Sequence, residues 1–364
     1  MWIWSICICI FFENAIAAPS YAKIKSLPNL EFSPPFEQYS GYLPVNNGNQ
    51  LFYWLTMAYE NSSTAPLLLY LNGGPGCSSM QGLLVEMGPF RILDYGKRVV
   101  ENKYAWNRFA NVLYLDAPAG VGYSINLHKN YTFTDSQVAS DNHEALKAFF
   151  NLFPEFKGND FYIGGESYAG YYIPMLADRL LNDSFNFSNF KGYLVGNGCL
   201  NDKMLFNSGI EYNYNHGFID QRFYESSVKK CCNGKSSEGC NWYQFSSTPQ
   251  NPCFNISLSL NEANYYTGVD PYFLYFSCYL DQPDGINHFN RMPSLGRNSV
   301  QTMKKHLMKR FGKSLSRDDS NNDKPACSHY DDMVYWLNRN DVRNAIHVPI
   351  RVQEYATCRM AQIF

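Results

Sequence analysis

Phe161-Tyr162-Ile163-Gly164-Gly165-Glu166-Ser167-Tyr168-Ala169-Gly170 reads as a short apolar strand, a tight glycine-bounded turn and the start of a helix. Gly165 to Ala169 matches GxSxG except at its last position, where a small alanine stands. A strand-turn-helix of this kind needs small neighbours, because the strained turn lifts the serine hydroxyl clear of the backbone. Ser167 is therefore the candidate nucleophile. A glycine-rich turn without chemistry is the plainer alternative, and the strand and helix patterns on either side favour the sharper reading.

After Ser167, Tyr172, Met175, Leu176, Arg179 and Leu180 recur by threes and fours, which predicts a helix that tolerates Pro174 within its first turns. Before it, Val138, Asn142, Ala145, Leu146, Phe149 and Phe153 fall on one helical face. Continuous apolar runs at 67–71, 112–115, 161–163 and 193–195 predict strands buried on both faces of a parallel sheet. Strand, helix, strand is the α/β signature. An antiparallel start is expected from 38–45 and 50–59, joined by Asn46-Asn47-Gly48-Asn49, whose residues tolerate a hairpin's positive φ.

Leu71-Asn72-Gly73-Gly74-Pro75-Gly76-Cys77-Ser78-Ser79 follows the first buried run. Its glycines let backbone N–H groups approach a ligand, and acyl transfer needs two such donors aimed at the developing oxyanion. The expected pair is the N–H of Gly74 and that of Tyr168, the residue after the nucleophile. A phosphate-binding loop is disfavoured because no GK[ST] follows.

With 364 residues, 45% of them hydrophobic and 17% charged, the chain can bury one large core elaborated by an insertion. A net charge of -2 supplies no long-range field for nucleic acid or an anionic membrane, so neither is an expected partner. Residues 2–12 form an apolar run before Ala15-Ile16-Ala17-Ala18, and 1–18 reads as a secretory signal peptide. The run is too short to span a bilayer, and no later apolar run is long enough. Glycosylation sequons at Asn61, Asn130, Asn182, Asn186 and Asn255 agree with secretory entry.

Removing Cys7 and Cys9 with the leader leaves Cys77, Cys199, Cys231, Cys232, Cys240, Cys253, Cys278, Cys327 and Cys358. That odd number implies a thiol that is free or paired between chains, and spacing alone leaves the connectivity open. A zinc site at Cys231, Cys232, Cys240 and Cys253 fits poorly without a CxxC pair. The character of the sequence divides it into a core at 19–198, a disulfide-rich cap insertion at 199–327 and a return to the core at 328–364. Within the insertion, 291–317 holds eight Lys or Arg and no acid. It reads as a solvated helix and loop, or as an exposed segment cut by a trypsin-like protease.

Asn72 to Ser79, Asp116-Ala117-Pro118-Ala119-Gly120-Val121-Gly122-Tyr123-Ser124 and Gly165 to Gly170 together resemble the signatures of the serine carboxypeptidases, most closely the cathepsin A branch. The resemblance runs from about Phe36 to the last residue. It implies an alpha/beta-hydrolase fold, with a mostly parallel sheet, helices on both faces and a cap. It also implies release of C-terminal residues from peptides through an acyl-enzyme on Ser167, at acidic pH and with no metal or organic cofactor. Asn72, Glu86 and Glu166 are implied to hold the substrate's terminal carboxylate. Three carboxylates together repel unless a proton is shared, so raised acid pKa values are expected. Tyr70 stands where the family commonly has Trp.

The resemblance also implies disulfides Cys77–Cys358, Cys231–Cys253, Cys232–Cys240 and Cys278–Cys327, leaving Cys199 as the free thiol. It implies cleavage within 291–317, a lysosomal or extracellular location, and a homodimer or a lysosomal hydrolase as protein partner beside peptide substrates with a free C-terminus. Alternatives are a carboxypeptidase-like acyltransferase, a protective or binding protein, and a truncated isoform.

An alpha/beta-hydrolase triad runs in chain order Ser, Asp or Glu, His. The family's Gly-Asp-x-Asp-x-x-Cys and Gly-His-x-x-Pro stretches do not occur in these 364 residues. His347, in Ala345-Ile346-His347-Val348-Pro349, precedes Cys358 and lacks the glycine, so it reads as structural. The expectation is a chain truncated before its final strands and, expressed alone, inactive and poorly folded.

Overall fold

The computed structural model describes residues 18–183, 185, 187–234, 239–266, 330–359 and 362–363. The leader, the 291–317 segment, the Cys278–Cys327 pair and Asn186 lie outside the described residues. Strands β1 (Gln38–Pro44) and β2 (Asn49–Thr56) form the expected antiparallel hairpin, with Asn47 at φ 57° and Gly48 at φ 74° in its turn. They are followed by β3 (Leu67–Leu71), a hairpin of β4 (Phe90–Leu93) and β5 (Arg98–Glu101), β6 (Asn111–Leu115), and the short β7 (Ile125–Asn126) and β8 (Thr132–Phe133). Then come α1 (Asp135–Leu152), β9 (Phe161–Glu166), α2 (Ala169–Asn182) and β10 (Phe190–Gly196).

The central sheet has the order β1-β2-β6-β3-β9-β10, with β7 on β2. Strands β6, β3, β9 and β10 run parallel, and β2 meets β6 antiparallel. The apolar runs are continuous because side chains alternate between two buried faces. Leu67, Leu69, Leu71, Leu113 and Leu115 pack with Phe149, Phe150, Ile173 and Leu176 of α1 and α2. Leu68, Tyr70, Val112 and Tyr114 pack on the opposite face. That face is covered by Met333, Trp336 and Leu337, and by Val342 and Ile346, from two helices near the end of the chain. Helix α1 starts at a capping box: Thr134 Oγ accepts from Gln137 N at 3.2 Å and Gln137 Oε1 accepts from Thr134 N at 2.8 Å.

The run at 193–195 is a strand, β10, but it is not buried on both faces. Tyr193 is 55% and Leu194 38% exposed, because β10 is the edge strand among the described residues. Beyond it the chain becomes helical, with α3 (Asp202–Asn215), α4 (Gln221–Cys231), α5 (Tyr243–Ser246) and α6 (Phe254–Asn261). These enclose a separate small core of Ile210, Tyr224, Trp242, Phe245 and Leu260. Disulfides Cys231–Cys253 and Cys232–Cys240 staple it. The helices over the main sheet are α7 (Tyr330–Leu337) and α8 (Asn340–Ala345), and β11 (Gln362–Ile363) pairs with β8. Among the described residues no helix is long and apolar enough to cross a membrane.

Candidate active site

Ser167 follows β9 and precedes α2 at φ 60°, a left-handed conformation that a side chain adopts only when its surroundings hold it there. Ser167 N donates to Gly196 O at 3.1 Å, and Ser167 O accepts from Cys199 N at 2.8 Å and Gly170 N at 2.9 Å. Closeness is obligatory on the strand side: a Cβ on Gly165 would stand 2.6 Å from Leu71 O and from Ala169 Cβ. The serine is half-buried, at the carboxyl end of a central strand.

The loop after β3 lies directly against this turn. A Cβ on Gly73 would approach Tyr168 N to 2.4 Å, Glu166 O to 2.7 Å and Ser167 Cβ to 3.0 Å. Gly74 has φ 114°, and a Cβ there would meet Cys77 N at 2.7 Å, so conformation and space both demand glycine. Among the described residues neither Gly74 N nor Tyr168 N donates a hydrogen bond to another protein group, which leaves two amide donors beside Ser167.

Asp116 anchors the far end of that loop. Its Oδ1 accepts from Ser78 Oγ at 2.6 Å and Ser79 N at 3.0 Å, and its Oδ2 accepts from Tyr123 N at 3.1 Å. Complete burial pushes its pKa up to about 7 despite those donors. Ser79 Oγ accepts from Asn72 N at 3.1 Å, closing the loop on itself. The Cys77–Cys358 disulfide ties the loop to the tail, where Ser78 N donates to Thr357 O and Arg359 N to Gly76 O, both at 2.9 Å.

Asn72, Glu86 and Glu166 come together next to Ser167. Asn72 Oδ1 accepts from Gly82 N at 2.9 Å, which fixes the amide so that Nδ2 faces the carboxyls. Nδ2 donates to Glu86 Oε1 at 3.0 Å and Glu166 Oε2 at 3.4 Å. Glu86 ends a π-helical turn, Gly82–Glu86, closed by Met87 N donating to Gly82 O at 2.9 Å. Burial, and then the Glu166 charge, push the Glu86 pKa up to about 7, against the opposing pull of Asn72, Tyr70 and Arg91. Burial also raises Glu166.

Two neighbours of this site, Tyr70 and Cys199, were singled out in the sequence without any contact to the site being foreseen. The Tyr70 hydroxyl donates to Glu86 Oε2 at 3.3 Å, and its ring fits only because residue 82 is glycine, where a Cβ would come within 2.7 Å. Cys199, the free thiol among the described residues, lies beside the nucleophile turn, its N donating to Ser167 O at 2.8 Å. Its proximity follows from β10 running beside β9, a tertiary fact.

The sequence matches the serine carboxypeptidase family over residues 28–364. The chain belongs to the serine carboxypeptidase family. It is 39% identical to "Serine carboxypeptidase ctsa-4.1" of Caenorhabditis elegans, covering 95% of this chain and 70% of that one. It is 37% identical to the mouse "Lysosomal protective protein", covering 94% and 70%. In three dimensions this carboxypeptidase chain is similar to the crystal structure of KEX1(DELTA)P, a prohormone-processing carboxypeptidase from Saccharomyces cerevisiae. That likeness has a TM-score of 0.63 at 20% identity and covers 95% and 72%, and it establishes the shared alpha/beta-hydrolase fold.

None of the hydrogen bonds from the histidines among the described residues reaches Ser167. In this family member His347 lies at the opposite end of the sheet, 3.2 Å through Nδ1 from Ser40 Oγ on β1, with burial lowering its pKa. The buried His143 of α1 pairs with Asp183, which follows α2, Nε2 to Oδ2 at 2.7 Å. The sequons Asn61, Asn130, Asn182 and Asn255 are all exposed.

Proposed function

We propose that the Ser167 site releases C-terminal residues from peptides through an acyl-enzyme. The observation that carries the reading is adjacency: Glu166, bonded through Asn72 to Glu86, immediately precedes Ser167. A terminal carboxylate held by these three side chains places the last peptide bond over the serine hydroxyl. The N–H groups of Gly74 and Tyr168 are the donors for the tetrahedral oxyanion. The chemistry calls on no metal or organic cofactor.

Acidic operation follows from the same group. With a proton on the Glu86–Glu166 pair, the site donates to a carboxylate instead of repelling it, and Glu86 loses that proton as pH rises through about 7. Three disulfides, exposed sequons and a mouse relative named lysosomal support a lysosomal or extracellular location. The substrates are peptides with a free C-terminus.

Ser167 needs a base, and the described histidines lie elsewhere. We therefore extend the proposal: residues 1–364 expressed alone bind C-terminal carboxylates but turn over little. Hydrolysis of an N-blocked dipeptide by this chain, abolished by Ser167→Ala, would overturn that extension. In an active form, Glu86→Gln and Glu166→Gln are expected to weaken peptidase activity far more than esterase activity. Equal losses on both substrates would overturn the carboxylate-binding role.

A further inference from the structure

Away from Ser167, a groove of about 710 Å³ lies between α1, at Ser136 and His143, and the residues of α2 from Pro174 to Asn182 with Asp183, a volume in the range that holds small ligands. Pro174, Asp178 and Asn182 line it at i, i+4 and i+8, and Met175 and Arg179 form the adjacent row. Pro174 and Met175 are half-buried and offer apolar surface. Arg179 Nη2 donates to both Ser136 O and Ser136 Oγ at 3.1 Å, tying α2 to α1 beside the groove. The exposed Asn182 donates through Nδ2 to Asp178 O at 2.8 Å and Asp178 Oδ1 at 3.1 Å.

Asn182 is also the acceptor of the sequon Asn182-Asp183-Ser184. Asn61, Asn130 and Asn255 are equally exposed, yet none of them lines this groove. We propose that the groove seats the first N-acetylglucosamine units of a glycan carried by Asn182.

Attachment takes place in the secretory pathway from a lipid-linked oligosaccharide diphosphate. The Asn182 Nδ2–C1 bond forms, the C1–O bond to the lipid diphosphate breaks, the diphosphate leaves with the electron pair, and one Nδ2 proton goes to solvent. The remaining Nδ2 hydrogen suffices for one of the two Asp178 contacts. Eight residues of helix, from Asn182 back to Pro174, span about 12 Å, which accommodates the first two sugars lying along α2. Their C–H faces meet Pro174 and Met175, and their hydroxyl and acetamido groups meet the Asp178 carboxylate and the Arg179 guanidinium. Tethering makes the docking intramolecular, so a weak intrinsic affinity is enough to fill the groove. Binding to the native state alone then stabilises it.

The test uses the whole chain secreted from a host that adds high-mannose glycans. Peptide mass spectrometry is expected to find Asn182 occupied. Under native conditions peptide-N-glycosidase should release its glycan at least roughly tenfold more slowly than those of Asn61 and Asn130, a difference of about 1.4 kcal/mol that vanishes in denaturant. Met175→Asp should keep the occupancy and abolish the rate difference. Trimming by an endoglycosidase that leaves one sugar should lower the melting temperature by less than loss of the whole glycan does. Ser184→Ala should lower it by about 2 °C or more, whereas Ser184→Thr, which keeps the sequon, should not. A bare Asn182, equal native release rates at the three sites, or identical melting of the two Ser184 variants would overturn the proposal.

Discussion

The loops after β3 and β9 and the helical region from α3 to α6 hold their shapes by different means. Around Ser167 the backbone itself is constrained: Gly73, Gly74 and Gly165 each stand where a Cβ would collide with main chain, and Ser167 is held at positive φ. The helical region has a small core of its own and two disulfides closing short stretches of chain. The first region is fixed by contacts that permit no side chain, with a single disulfide, Cys77–Cys358, tying its β3 loop to the distant tail. The second is fixed by covalent links between otherwise ordinary helices. Stress on the two should therefore be felt differently.

The largest effect is expected from opening Cys77–Cys358, which joins the loop after β3 to the tail across 281 residues. Replacing both cysteines by serine should cost about 5 kcal/mol in urea denaturation, from chain entropy alone. Removing Cys231–Cys253, which spans 22 residues, should cost about 3 kcal/mol. That loss should be concentrated in the α3–α6 amides when hydrogen exchange is followed; a loss shared equally with β3 and β9 would erase the distinction between the regions. Gly73→Ala should cost about 2–3 kcal/mol although it adds a single methyl, because the obstacle is the backbone of the Ser167 turn.

Titration sharpens the same contrast. The Glu86 carboxyl holds its proton more tightly folded, at about 7, than at its ordinary 4.5. The folded state therefore binds more protons between those values. Its contribution is fully present below about 4.5 and lost as pH rises through about 7. Glu86→Gln should flatten the stability profile across this window and gain on the order of 2 kcal/mol above it. An unchanged slope would mean that Glu86 is solvated. The smallest effect is expected from Tyr70→Phe, which removes one hydrogen bond and should cost about 1 kcal/mol while moving the Glu86 titration further upward.

By itself the sequence determined the features that depend on neighbours along the chain. Alternating burial makes the strands at 67–71 and 112–115 continuous apolar runs, and the turn at Ser167 requires small residues whatever surrounds it. Loop glycines are equally legible, since only they reach φ 114° without strain. Pairing across the sheet decided the rest. The run at 193–195 looks like the other buried strands, and its position as the edge among the described residues leaves Tyr193 exposed. Cys199 meets Ser167 because β10 lies beside β9, and His347 meets Ser40 because α8 folds over β1. Spacing along a chain records local geometry, whereas contacts between distant segments arise from burial shared among all of them, and no single segment encodes that.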